Sequence, residues 1–165
     1  MERNLAVLEK QEELLTFEHF TNEDAWELGC FMVEEAKKRD LHISIAIRHL
    51  SGYTWFQYGF AGTGWINENW MRRKFNTVKD LGRSSLRSAL FLENIGESLE
   101  LNGLDLKNHV LAGGGFPVRI KGSDICGAVL VSGMYHYSDH QFIVDCLSAF
   151  LKVRDVPALS YVSPW

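Results

Sequence analysis

Residues 112–122 of the chain read AGGGFPVRIKG, and residues 125–133 read ICGAVLVSG. The first stretch predicts a glycine loop and a short strand, and its last glycine begins a tight turn into a second strand. The second stretch is almost continuously apolar, which is typical of an interior strand covered on both faces. Glycines at both of its ends allow other groups to approach the backbone closely. We therefore expect a concave site at this end of the sheet.

The segment after this strand predicts a helix. Ser138 and Gln141 have the S-x-x-Q spacing of a capping box, which places the helix start at Ser138. Asp139 then lies in the first turn, where the helix dipole stabilises a carboxylate. The apolar residues beyond it recur at helical spacing and are Ile143, Cys146, Leu147 and Phe150.

The residues upstream predict a helix and a hairpin. Apolar spacing over residues 22–38, with Thr21 and Asp24 at its start, is that of an amphipathic helix. Residues 42–48 alternate between apolar and polar, and residues 53–58 resume the pattern with aromatic and β-branched side chains. Two strands with so short a break between them predict a β-hairpin.

Two helices follow the hairpin, one ending at Gly82 and the next beginning at Ser84 or Ser85. Val110-Leu111 leads into the last group of strands. The resulting order is helix, two strands, two helices, three strands and helix. Because hairpins dominate over strand–helix alternation, we expect an α+β fold with a mostly antiparallel sheet and helices packed on it.

The chain of 165 residues has the length of one domain. We predict a single domain over residues 1–165, with an N-terminal arm at 1–20 and a C-terminal tail at 153–165. The arm is helix-prone, but a short isolated helix is marginal in water, so it needs a surface to lie against. The tail is poor in charge and carries Tyr161 and Trp165, which predicts that it docks on something.

Composition excludes several classes of partner. The formal net charge of −4 argues against nucleic acid, because phosphate binding needs a basic face. No apolar run reaches the ~18 residues of a membrane span, so we expect no direct membrane insertion. The acidic N-terminus is unlike a signal peptide, and Cys30, Cys126 and Cys146 have no metal-binding spacing. Reduced thiols in a cytoplasmic protein are the expectation.

Two motifs allow both a structural and a ligand-binding interpretation. Gly113-Gly114-Gly115 is either a bend between strands or a loop whose backbone N–H groups contact a ligand. No G-K-[ST] sequence follows it, so a phosphate loop of the usual kind is excluded. Arg72-Arg73-Lys74 is a small basic cluster on a predicted helix. It is either a solvated face, or Lys74 points into the site and pairs with an anionic ligand.

His136 and His140, near the start of the last helix, are candidate metal ligands, and His140 is also a candidate general base. If the helix starts at Ser138, His136 precedes it and shares no helical face with His140, so we predict no metal site. Asp139 and His140 are neighbours, and neighbouring side chains on a helix diverge by about 100°. His109 is expected to be a structural histidine. The aromatic side chains Trp55, Phe56, Trp65 and Trp70 form core or subunit contacts, or a wall for a flat ligand.

Three stretches together carry a resemblance to a known family. Residues 113–118, 127–133 and 139–140 resemble the second half of the GlcG/HbpS-like (haem-degrading-domain) superfamily. The pairs Arg73-Lys74, Thr77-Val78 and Ser84-Ser85 resemble its middle helices. Within the superfamily the chain most resembles the protein family numbered 0303, over roughly residues 10–155.

The resemblance implies a profilin-like α-β-α sandwich with a five-stranded, mostly antiparallel sheet. It also implies homo-oligomers, commonly dimers that build larger rings or octamers. Relatives include a haem-binding sensor component, a protein of glycolate operons, the C-terminal part of a cobalamin adenosyltransferase and a fungal protein linked to tail-anchored membrane proteins. They share a scaffold rather than a reaction. The chain lacks the C-x-x-C-H motif of haem attachment.

The leading hypothesis is a homo-oligomer that binds a small molecule, with a haem-like or corrinoid-like cofactor or a small anion as ligand. The predicted ligand-binding residues are Lys74, Gly113, Gly114, Gly115, Ser132, Gly133, Asp139 and His140. An enzyme at the same pocket is the first alternative, with His140 as general base and Asp139 orienting it. The second alternative is an oligomeric adaptor or chaperone-like protein whose arm and tail recruit a partner.

Overall fold

A computed structural model describes residues 2–160 of the chain. Within them the helices are α1 (Glu2–Leu14), α2 (Asn22–Lys38), α3 (Trp65–Leu81), α4 (Ser85–Ile95) and α5 (His136–Leu151), with a short 3-10 helix at Glu100–Asn102. The strands are β1 (Ser44–His49), β2 (Thr54–Gly59), β3 (Gly115–Arg119) and β4 (Ile125–Ser132). The predicted α+β class is confirmed.

The four strands form one antiparallel sheet in the order β2-β1-β4-β3. The apolar strand β4 is interior, as its sequence predicts. The predicted order has three strands before the last helix, whereas the structure has two there, β3 and β4. The third predicted strand is therefore wrong, and the sheet of the described residues has four strands rather than five. The backbone of Val110 instead bonds to Thr77 of α3, which accepts its N–H at 3.1 Å and donates to its carbonyl at 2.9 Å. Its hydrogen-bonding groups are therefore satisfied without a strand partner.

Helices cover both faces of the sheet. Ile45 and Ile47 of β1 share a buried core with α2 and α5, whereas Ala46 between them packs with Met71 and Phe75 of α3. This alternation is the period of two expected for a strand buried on both faces. The result is a three-layer α-β-α arrangement, with α3 as the main cover of the second face.

The predicted starts of α2 and α4 and the predicted end of α3 are confirmed, whereas the predicted start of α5 is wrong. Thr21 and Asp24 form the capping box of α2, and Gly82 ends α3 in the left-handed conformation. The capping box predicted at Ser138 and Gln141 is wrong, because α5 begins two residues earlier, at His136. The carboxylate of Asp139 reaches back to accept the Met134 N–H at 3.0 Å, so it stabilises this earlier start.

The N-terminal arm lies against the rest of the protein, as expected. Leu8 of α1 packs on Leu86 and Leu90 of α4. Gln11 donates to the carbonyl of Pro157 at 2.8 Å, which ties the described part of the tail to α1. The predicted docking of Tyr161 and Trp165 lies outside the described residues.

The cysteines form no disulfide. Cys146 is buried, and this burial raises the pKa of its thiol to about 12, while Cys30 and Cys126 are half-buried. No helix within residues 2–160 is long and apolar enough to cross a membrane.

Candidate functional site

An open cleft, here called the α5 cleft, lies where β4 ends and α5 begins. Its volume is about 360 Å³, at the small end of the range for ligand sites. The residues that line it are Ile66, Asn67, Trp70, Lys74, Ala112, Ser132, Gly133, Met134, His136 and Asp139. They come from α3, the loop before β3, the end of β4 and the turn after it, and the first turn of α5. The chain therefore has a concave site at the sheet end where the glycine pattern predicted one.

The floor of the α5 cleft is an ion pair between Lys74 and Asp139. Lys74 Nζ lies 2.9 Å from Asp139 Oδ2 and donates to the carbonyl of Val131 at 2.8 Å, and the two side chains are 3% and 2% exposed. Burial raises the pKa of Asp139 and lowers the pKa of Lys74, and their mutual attraction opposes both shifts. The anionic partner of Lys74 is thus a residue of its own chain.

The three glycines lie behind this floor. Gly114 has a φ of +110°, and a Cβ added there would lie 2.6 Å from Lys74 Nζ. A Cβ on Gly113 would collide with the carbonyl of His136. All three are buried and none lines the α5 cleft. Gly113 and Gly114 therefore let the loop press against the start of α5 and the ion pair, whereas Gly115 lies against Val78 and Ser85.

His136 lines the cleft, although it is not among the predicted ligand-binding residues. Its Nδ1 accepts the backbone N–H of Gly113 at 3.1 Å. Burial, with a smaller contribution from the charge of Lys74, lowers the pKa of His136. The ring is therefore neutral, with its proton on Nε2. No local sequence signal marks this residue, because its role depends on the glycine loop 23 residues earlier.

Aromatic and polar groups of α3 form the other wall. Trp70 is 37% exposed, and the guanidinium of Arg73 lies 5.1 Å from its ring centroid. Asn67 Oδ1 accepts the backbone N–H of Gly64 at 3.0 Å, and its Nδ2 makes only long contacts of 3.4 and 3.5 Å with Ser132. Of the predicted ligand-binding residues, the fold therefore brings Lys74, Ser132, Gly133 and Asp139 together at the cleft.

His140 is elsewhere, in the protein interior. It is fully buried, and its Nε2 lies 2.9 Å from Gln11 Oε1 of α1. Burial, together with the nearby His136, lowers its pKa to about 3. The carboxylate oxygens of Asp139 bond to Lys74 and to Met134, so Asp139 does not orient His140. Asp139 and His140 therefore do not form the dyad in which Asp139 would orient His140 as a general base.

The two arginines of the basic cluster, Arg72 and Arg73, are half-buried and bond to the loop before β3. Arg72 donates to the carbonyl of Lys107, and Arg73 donates to that of Leu106, both in the loop before β3. His109 in the same loop lies 2.7 Å from the carboxylate of Asp80, as expected of a structural histidine. No three His, Cys, Asp or Glu side chains converge to hold a metal ion within the described range 2–160.

Comparison with known proteins identifies the family. The sequence model described as "Haem degrading protein HbpS-like" matches residues 20–148. The chain therefore belongs to the HbpS-like family, as its motifs predicted. Within that class it belongs with the UPF0303 proteins. A UPF0303 protein of Yersinia enterocolitica is 36% identical over 152 residues, covering 92% of this chain and 90% of the relative. One from Yersinia pestis (strain Pestoides F) is 36% identical over 167 residues, covering 99% and 97%.

Solved structures confirm the fold. The crystal structure of the Ybr137w protein superposes with a TM-score of 0.82 and 25% identity, covering 90% of this chain and 87% of that one. The structure of HbpS gives a TM-score of 0.64 and 25% identity, covering 81% and 90%. A complex of PduOC with haem gives 0.65 at 16% identity, covering 79% and 94%, and is similar in fold alone.

Proposed function

We propose that the protein binds a small organic molecule in the α5 cleft. The observation that carries this proposal is the desolvated Lys74–Asp139 pair at the floor of an open cleft. A buried ion pair is weak as a source of stability, because desolvation offsets most of its attraction. Oppositely perturbed pKa values in a concave site are typical of functional residues. The exposed edge of Trp70 adds an apolar wall on which part of a ligand can rest.

The residues of the cleft do not fit a haem or corrinoid metal bound through histidine. An axial imidazole needs a nitrogen lone pair. His136 is the imidazole among the lining residues, and its Nδ1 lone pair accepts the Gly113 N–H while Nε2 carries the proton. His140 is fully buried. The supported ligand is therefore an organic molecule recognised by hydrogen bonds and apolar contact.

A variant that fills the cleft tests this function. Ala112 lines the cleft, whereas Ala61 is exposed elsewhere, so Ala112→Phe and Ala61→Phe form a matched pair. Calorimetry against a panel of haemin, cobalamin and small organic acids is expected to find a ligand whose binding Ala112→Phe abolishes and Ala61→Phe preserves. If no compound binds, or if Ala112→Phe binds as the parent does, the proposal is wrong.

We propose further that the chain forms a homo-oligomer. Three large aromatic side chains near β2 are exposed: Tyr53 by 63%, Tyr58 by 42% and Trp65 by 74%. The outer edge of β2 has no strand partner within residues 2–160. Exposed edges and apolar clusters of this kind favour association. Light scattering after size exclusion is expected to give a mass that is a multiple of the 18.8 kDa chain mass. Tyr58→Lys is expected to reduce this mass. A monomer at all concentrations would contradict the proposal.

A further inference from the structure

Resting on the ligand-binding function proposed above, we infer that the α5 cleft selects a singly charged carboxylate attached to a flat apolar group. His136 would recognise the carboxylate as a fixed hydrogen-bond donor through Nε2–H. Backbone N–H groups orient His136 and Asn67 in the cleft, and Ser132 Oγ in turn accepts from the Asn67 amide.

The orientation of His136 follows from the group it touches. A backbone N–H can only donate, so the Gly113 N–H that lies 3.1 Å from Nδ1 requires a lone pair on that nitrogen. The imidazolium form, in which both nitrogens donate, is excluded by the same contact. Nε2–H has no hydrogen-bond partner among residues 2–160, and the ring lines the cleft. It is thus an unused donor at the site.

Asn67 and Ser132 add donors by the same reasoning. The Gly64 N–H donates to Asn67 Oδ1 at 3.0 Å, which fixes the amide so that Nδ2 is the end near Ser132. The contacts of Nδ2 with Ser132, at 3.4 and 3.5 Å, are too long to use its donating capacity fully. Because Ser132 Oγ accepts the second of these contacts, its own hydroxyl hydrogen remains available.

The side-chain acceptors of the cleft are already engaged. Asp139 Oδ2 accepts from Lys74 Nζ, and Oδ1 accepts the Met134 N–H. Asn67 Oδ1 accepts the Gly64 N–H. A cleft rich in free donors and poor in free acceptors complements a group that only accepts, and an ionised carboxylate is such a group. Since Asp139 neutralises Lys74, the residues that line the cleft carry no net charge, which favours one negative charge over the two of a phosphate monoester.

Exposed apolar side chains at the rim of the cleft favour a ligand with an apolar part. Ile66 is 59% exposed and Trp70 is 37% exposed, and both line the cleft. Arg73 lies against the Trp70 ring. A flat ring or conjugated chain next to the carboxylate would cover this apolar surface.

Benzoate, benzamide, phenyl phosphate and haemin are the probes for the test. Benzamide keeps the shape of benzoate but replaces one acceptor oxygen with a donor. By calorimetry, we expect benzoate to bind the full chain about tenfold more tightly than either benzamide or phenyl phosphate. His136→Phe and Ser132→Ala should each reduce benzoate affinity several-fold and benzamide affinity by a smaller factor, because benzamide has one acceptor oxygen instead of two. His42→Phe, at an exposed histidine outside the cleft, should change neither.

A second measurement reads His136 directly. Nitrogen NMR of histidine-labelled protein is expected to show an unprotonated Nδ1 and a protonated Nε2 for the resonance that His136→Phe removes. Four results would overturn the carboxylate inference while leaving a cleft that binds ligands. They are the opposite tautomer of His136, equal affinity for benzamide and benzoate, tighter binding of phenyl phosphate, and an iron–imidazole spectrum with haemin that depends on His136. Absence of binding by all four probes would also overturn it, and the Ala112→Phe panel then decides separately whether the cleft binds anything. If His136→Phe fails to fold, Ser132→Ala carries the test, and unchanged benzoate affinity in that variant contradicts the inference.

Discussion

Lys74 and Asp139 are charged residues held away from water, and each depends on the other. Lys74 has two acceptors and Asp139 has donors on both oxygens, so neither charge is left unpaired. Gly114 leaves no room for a side chain at this point, since a Cβ there would meet both Lys74 and Asp139. Adding one carbon atom at Gly114 would therefore displace the ion pair at the floor of the cleft.

Lys74→Met is expected to lower the free energy of unfolding by about 3–5 kcal/mol, because it leaves Asp139 buried without its ion-pair partner. The double variant Lys74→Met/Asp139→Leu should cost less than Lys74→Met alone, since no charge is then buried. Urea unfolding measures both. Lys79→Met, on the same helix with a side chain 40% exposed, serves as the control and should change stability little. A cost below about 1 kcal/mol for Lys74→Met would contradict the buried pair.

His140 makes stability depend on pH. Its pKa is about 3 in the folded protein and 6.5 ordinarily, so between these values the unfolded chain binds a proton that the folded protein does not. The stability from His140 is therefore full above pH 6.5 and is lost as the pH falls toward 3, by up to about 1.4 kcal/mol per pH unit. The raised pKa of Asp139 contributes the opposite slope, and it does so in parent and variant alike.

His140→Gln keeps a donor for Gln11 and removes the titration, so its stability should fall less steeply between pH 6.5 and 3. Urea unfolding at several pH values gives both slopes. His42→Gln, at a histidine whose side chain is 63% exposed, is the control and should follow the parent slope. Parallel curves for His140→Gln and the parent would show that His140 titrates normally.

At the scale of elements, the contact between α2 and β2 depends on a glycine inside a helix. Gly29 faces the ring of Phe56, and a Cβ there would lie 2.5 Å from the Cδ1 atom of that ring. Helix propensity by itself favours alanine at this position by about 1 kcal/mol. Close approach of helix and sheet is thus obtained at the expense of local helix stability.

Gly29→Ala is expected to destabilise the protein by about 1–2 kcal/mol, because overpacking outweighs the gain in helix propensity. Combining it with Phe56→Leu should give a cost smaller than the sum of the two single changes, which a double-mutant cycle in urea measures. Glu27→Ala, at an exposed position of the same helix, is the control. Stabilisation by Gly29→Ala would show that the ring moves aside freely.

At the scale of the whole molecule, α1 joins elements that are distant in the sequence. Glu12 accepts the backbone N–H of Ser84 at 2.9 Å and pairs with Arg87 at 3.0 Å, both at the start of α4. Gln11 contacts His140 of α5 and Pro157 of the tail. The arm is therefore part of the folded unit rather than an appendage.

Deletion of residues 1–14 is expected to lower the free energy of unfolding by at least about 4 kcal/mol. It removes the fully buried Leu8 and leaves the Ser84 N–H and His140 Nε2 without partners. Glu12→Ala should reproduce about 1–3 kcal/mol of this loss, whereas Glu13→Ala, at an exposed position, should not. Chemical unfolding checks all three, and an unchanged midpoint for the deletion would mean that the arm is dispensable.

Local signals in the sequence were sufficient for much of the fold. The bounds of α2, the β1–β2 hairpin, the left-handed end of α3 at Gly82 and the interior position of β4 follow from capping, periodicity and glycine, all of which act within a few residues. The glycine and Val-Ser-Gly motifs also marked the family, which the match over residues 20–148 confirms.

Only the tertiary structure decided the chemistry of the cleft. Lys74 and Asp139 are 65 residues apart, Thr77 and Val110 are 33 apart, and Gly113 and His136 are 23 apart. These contacts bond the backbone of Val110 to α3 and give Lys74 an anionic partner within its own chain. The contact with Gly113 also determines which nitrogen of His136 carries the proton. A side chain's charge state and its free donors depend on the groups that surround it after folding. Periodicity along the chain does not predict which distant residues those neighbours are.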